Sequence, residues 1–225
     1  MGPDRSDRAT GVALLTAAVL LTGGNLAHPV DQAPSATSRL ALATDPTWLT
    51  VHLVVAVGFL ALATGLVLLA ARSRGTIAGT TTAVTGIVGG GTMALVFAGL
   101  DGYGFRALAA APDTTGAATA ALALDAIDTG LAGLGTALVM GVAMLGLAAV
   151  LRRDRDLAGR WAAPACTAVG VAGILTGLAL LSRGATTTTI NVLLRPTAMA
   201  MTLVVVALGV GLVRGVSASA RRVSG

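Results

Sequence analysis

The chain of 225 residues has no lysine and no glutamate, one cysteine, one tyrosine, two tryptophans and two histidines. Each shortage closes off a class of chemistry. The single Cys166 excludes an intramolecular disulfide, a cysteine-rich zinc site and an iron–sulfur cluster held by this chain alone, and its ordinary role is that of an inert buried thiol. No Gly-x-Ser-x-Gly elbow and no His-Glu-x-x-His pair occurs, so familiar hydrolase chemistry has no support. The pairs Gly133/Gly135 and Gly209/Gly211 lack the third glycine of a dinucleotide fingerprint and stand inside apolar runs. Charge is scarce as well. At 11% of residues it falls far below the roughly one quarter usual in soluble domains. The missing Lys and Glu, beside abundant Ala, Gly, Val and Arg, read as the codon usage of a GC-rich genome and carry no function.

What the chain does have is apolar length. It is 55% hydrophobic, with a mean hydropathy of +0.85. A spanning helix needs about 20 mostly apolar residues, and six stretches meet that length: 10–28, 48–71, 77–100, 121–150, 162–182 and 196–213. The expected fold is therefore all-α, a polytopic transmembrane bundle of six helices occupying residues 10–213. His28-Pro29 ends the first span, Arg72-Ser73-Arg74-Gly75 the second and Asp101-Gly102-Tyr103-Gly104 the third, while Arg195-Pro196 is expected to open the sixth, proline being tolerated in a first helical turn. A cleaved leader is the competing reading of the first span. It is the weaker one, because cleavage after Ala27 would put Asn25 where a small neutral residue belongs.

Arginine decides the expected orientation, since positively charged loops stay in the cytoplasm. With the N-terminus inside, the inner segments carry Arg5, Arg8, Arg72, Arg74, Arg152, Arg153, Arg155, Arg160, Arg214, Arg221 and Arg222, and the outer ones only Arg39, Arg106, Arg183 and Arg195. Both termini are then cytoplasmic: 1–9 as a short leading segment and 214–225 as a basic, disordered tail. The expected location is a bacterial plasma membrane. A pI near 11.2 would suggest nucleic acid in a soluble protein, but here the bases flank spans, and no nucleic-acid partner is expected. The general appearance resembles small Ala/Gly-rich bacterial integral membrane proteins. That likeness is compositional and transfers no residue roles. The outer stretches 29–47 and 101–118 read as loops, with one short helix at Phe105 to Ala111, and neither is long enough to bury a core of its own.

Small residues repeat at four-residue spacing: Thr82, Gly86, Gly90, Ala94 and Ala98 in the third span, Gly133, Ala137 and Gly141 in the fourth, Gly173 and Gly177 in the fifth. Without a hydrophobic gain between helices in lipid, such stripes supply close packing, either within the chain or against a second copy or another membrane protein. A hinge at Gly89-Gly90-Gly91 is the sharper alternative.

The remaining polar groups gather at one height. His28, His52, Asp101, Asp125, Asp128, Arg106, Arg183, Asn191 and Arg195 all fall at the outer helix ends and are expected to form an outward-facing polar cup. The leading expectation is a non-enzymatic protein that binds or passes a small ligand there, with the arginines meeting an anion or the aspartates a cation. A metal-dependent membrane enzyme is the rival, with a divalent ion such as zinc held by His28, His52 and Asp125. A structural or assembly subunit is the third class. Haem between the histidines is disfavoured because aromatics, 3% of the chain, are too few to pack a macrocycle. Ordinary roles stand beside these: Asp45 before Pro46 as a helix cap, Trp48 and Trp161 as interfacial belt residues, Asp101-Gly102 as a turn. Asp125 and Asp128 fit such roles least, because the helical pattern begins near Asp113 and leaves them inside a helix. Proton-coupled transport is disfavoured too, since the span interiors hold no ionisable group apart from the Cys166 thiol toward the inner side.

Overall fold

The computed structural model describes residues 5–28, 36–72, 76–111, 114–153 and 160–214. It is 93% helical, with no strand among the described residues. The elements are α1 (Arg5–Ala27), α2 (Ala36–Leu42), α3 (Trp48–Arg72), α4 (Ile77–Gly99), α5 (Phe105–Ala109), α6 (Thr114–Thr136), α7 (Met144–Arg153), α8 (Ala162–Arg183) and α9 (Arg195–Arg214), with π-helical turns at Leu100–Gly104, Ala137–Ala143 and Thr189–Leu194. Six of the resulting helices are long and apolar enough to cross a membrane. The basic tail expected beyond Arg214, and the turns at 73–75 and 154–159, lie outside the described residues.

Lipid offers no partner for backbone polar groups, so each span must satisfy its own. Polar side chains follow the same rule: the hydroxyls of Thr64, Thr92, Thr167 and Thr202 each donate to the carbonyl four residues earlier, at 2.8–2.9 Å. This lets threonine stand in a lipid-facing helix without an unpaired donor. Each span packs beside the next in sequence, and α9 closes against α1. The fourth span is the most enclosed, with 61% of its apolar window buried against 33–39% for the others. Around it Leu14, Leu66, Ile87, Met144, Leu147 and Leu208 form a dry core. Outward, Leu60, Val88, Leu122, Leu175 and Leu203 are exposed on five different spans, the arrangement lipid requires.

The small-residue stripes are occupied by contacts within the chain. Gly86 and Gly90 of α4 lie against Leu138–Ala143, Gly146 of α7 against Ala83, and Gly173 of α8 against Met140 and Gly141. A methyl group on Gly90 would stand 2.6 Å from the Val139 backbone nitrogen, closer than real packing allows. The α4 helix runs unbroken through Gly89-Gly90-Gly91, so no hinge opens there. Between α8 and α9 the Thr176 and Thr197 hydroxyls are hydrogen-bonded at 3.1 Å in a buried position.

Several boundaries differ from expectation. Asp101-Gly102 does not end the third span: a π-helical turn carries it on into α5. Nor do Arg195 and Pro196 open the sixth, because helix begins earlier and the wider register at Thr189–Leu194 precedes the proline. The fourth helix starts at Thr114 and the first at Arg5. Gly184 stops α8 with φ of 73°, a conformation that costs glycine nothing. The outer stretches are also more than loops. The short α2 docks on α5 and α6, and Ala36, Ala43, Trp48, Phe105 and Ala121 bury one another in a second apolar cluster. Neither stretch has a core alone; together with the helix ends they build one.

Candidate functional site

The second cluster supports a polar group at the end of the bundle opposite Arg5 and Arg214. Asp45 prepares it by ordering the entry to α3: its Oδ1 accepts from the Thr47 backbone N–H at 2.7 Å and from the Thr47 hydroxyl at 2.6 Å. These bonds favour the charged form and hold the Asp45 carboxyl below its usual range. The first turns of α3 then carry Trp48 and His52 on one face. Trp48 is 1% exposed, not an interfacial belt residue, and its indole Nε1–H donates to the Asp101 carbonyl at 3.0 Å. A buried indole must place its N–H, and the π turn presents the acceptor.

His52 is the centre of the arrangement. Its Nδ1 lies 2.7 Å from the Trp48 carbonyl, an atom that can only accept, so Nδ1 carries the proton. The other nitrogen, Nε2, lies 3.0 Å from Asp101 Oδ2 and 3.2 Å from His28 Nε2. One ligand-type atom from each of His28, His52 and Asp101 falls within a 4.8 Å group. The close approach depends on Gly102, where a methyl group would stand 2.6 Å from the His52 Cβ. The His28 and His52 ring centroids are 4.8 Å apart with planes inclined at 68°.

Beside this group lies a second one, built on Arg39 of α2. A single nitrogen, Nη1, meets Asp128 Oδ2 at 2.7 Å, Asp125 Oδ1 at 3.2 Å and Asp101 Oδ1 at 3.7 Å. The guanidinium also stands 5.6 Å over the Phe105 ring. Burial works against its charge, yet the Asp101, Asp128 and Asp125 carboxylates outweigh that cost and hold Arg39 above its usual range. Asp128 is fully buried, and its Oδ1, like Asp101 Oδ1, has no hydrogen-bond partner among the described residues.

The expected cup is thus divided. His28, His52 and Asp101 converge, and Asp125 and Asp128 join them through Arg39. The acidic neighbour of the histidines is Asp101 rather than Asp125, because Arg39 holds the Asp125 carboxylate. Arg106 belongs to the scaffold: it donates to the Ala43 and Asp45 carbonyls at 2.7 and 3.1 Å. Arg195 donates to Asn191 at 2.6 Å, both exposed, as a pair of their own. Arg183 borders a cleft of about 420 Å³ whose rim also includes Arg39, Asp125, Thr129 and Thr186. Sequence reasoning missed Arg39 and the buried role of Trp48. The only signal was a lone arginine just before the apolar run Leu40–Leu42, and seven residues are too few for a helical period to be read. No family model matches this chain, and neither the curated proteins nor the solved structures yield a match.

Proposed function

We propose that this is a multi-pass protein of a bacterial plasma membrane, with both termini cytoplasmic, that binds a small cationic ligand in an outward-facing polar cup. The orientation rests on the arginine distribution, eleven inner against four outer. The ligand class rests on one observation: three carboxylates, two of them buried, face a single guanidinium. The group holds more carboxyl groups than cations, so its balance of charge is negative. Uncompensated charge away from water costs several kcal/mol, so a cation entering here is strongly favoured over an anion. Of the other outer arginines, Arg106 turns to the Ala43 and Asp45 carbonyls and Arg195 to Asn191 rather than to these carboxylates, while Arg183 lines the neighbouring cleft.

Binding is favoured over ion-coupled passage. Below the cup the core is apolar and closely packed, and no Asp, His or Arg lies within residues 53–71, 77–99, 129–151, 162–182 or 196–213. The protein purified in detergent is tested by thermal shift against divalent metal salts, a small primary amine and inorganic phosphate. Metal ions or the amine raise the melting temperature, and Asp125→Asn, at the half-exposed rim, reduces the shift. Stabilisation by phosphate alone, or by none of the three, overturns the reading. Reporter fusions at Gly225 and within residues 107–117 test the orientation, and a C-terminus outside the cytoplasm would turn the cup inward.

A further inference from the structure

We infer that His28 Nε2, His52 Nε2 and Asp101 Oδ2 form a three-ligand site for a divalent transition metal of the zinc class, with the fourth position open to the cup. The inference rests on the cation-binding reading and names its ligand. Its foundation is the tautomer of His52. With the proton on Nδ1, donated to the Trp48 carbonyl, neutral His52 turns a bare lone pair at Nε2 toward a carboxylate oxygen and a second imidazole nitrogen. Three electron-rich atoms face one another. A proton on His28 Nε2 or on Asp101 joins at most one pair of these atoms at a time, whereas a metal ion uses all three lone pairs.

The spacing agrees. Ligand atoms about 2.0–2.1 Å from a tetrahedral zinc stand about 3.3 Å from one another. Here His52 Nε2 is 3.2 Å from His28 Nε2 and 3.0 Å from Asp101 Oδ2. The third edge lies within 4.8 Å, its half-buried member His28 standing just beyond the end of α1.

The surroundings are those a metal site needs. An imidazole ligand is oriented by a hydrogen bond from its other nitrogen, here to the Trp48 carbonyl. The Asp101 main chain is held by the Trp48 indole, and Arg39 stands by Oδ1, leaving Oδ2 to the ion. Two imidazoles and one carboxylate suit zinc and its first-row neighbours. Calcium and magnesium prefer six or more oxygens, which this group does not offer.

The alternative is a shared proton, with His52 as an imidazolium donating to Asp101. The full-length protein, purified in detergent and stripped with a chelator, distinguishes the two. The expected result is one zinc ion per chain after dialysis, and visible d–d absorption of tetrahedral intensity when cobalt(II) is added instead. His52→Gln and His28→Ala are expected to weaken zinc binding by more than about 100-fold, whereas Asn191→Ala leaves it unchanged. The cobalt spectrum is read on the unmodified chain, so a variant that fails to fold does not blunt the test. If neither zinc nor cobalt(II) binds while the amine still stabilises the protein, the metal inference is overturned and the cationic cup survives. If metals and amine all fail, both fall together.

Discussion

Gly102→Ala is the most economical probe of the site, because it adds one methyl group and replaces no proposed ligand. That methyl would lie 2.6 Å from the His52 Cβ and 2.9 Å from its Cγ, where ordinary contacts are 3.4–4 Å. The overlap is about 1 Å, and His52 cannot swing aside: it is 4% exposed and tied to the Trp48 carbonyl. The π turn and α3 must therefore separate. Overpacking of this kind costs roughly 1–3 kcal/mol, against which the helix preference of Ala over Gly returns at most about 1 kcal/mol. The same displacement moves His52 Nε2 away from Asp101 Oδ2, and disturbing the support of a metal ligand lowers affinity about 10–100-fold. Gly99→Ala is the matched control, since a methyl there meets nothing within 4 Å. It should leave zinc affinity unchanged and stability equal or slightly higher. Chelator competition measures the first and denaturant unfolding in detergent the second. If the two variants behave alike, the close approach of the π turn to α3 is not what shapes the site.

Three further outcomes are expected. Arg39→Met leaves the buried Asp128 carboxyl without its hydrogen-bond partner and should cost about 1–3 kcal/mol, much of it recovered when Asp128→Leu is added. Additive losses in that double-mutant cycle would mean the pair is not coupled. Gly90→Ala drives a methyl against the Val139 backbone nitrogen at 2.6 Å, a loss of roughly 1–3 kcal/mol in denaturant unfolding, while Gly23→Ala, with open space around it, should be neutral; equal effects would refute the packing described for α4. In a Trp161→Phe variant the remaining tryptophan is Trp48, 1% exposed against 45% for the residue removed. Its emission should be blue-shifted and resistant to acrylamide, and free quenching would remove Trp48 from the buried cluster.

The parts of this protein that were legible in advance share a physical origin. Apolar length is a sum over neighbouring residues, and lipid forces every backbone group to pair within its own helix, so six spans follow from composition alone. The glycine stripes were readable for the same reason, because four-residue spacing defines a helix face whatever packs on it. Even the gathering of His28, His52, Asp101, Asp125 and Asp128 at one end followed from counting helix lengths. Their pairing did not. The π turn at Leu100–Gly104 adds a residue that no hydropathy pattern registers, and α2 is helical because it docks on α5 and α6, not because seven residues sustain a helix unaided. The sequence by itself determined the membrane class, the number of spans and the height of the polar groups, all properties of local stretches. Only the tertiary structure decided that Trp48 sets the tautomer of His52, that Asp101 rather than Asp125 faces the histidines, and that Arg39 gathers three carboxylates, since each depends on residues brought together from different helices.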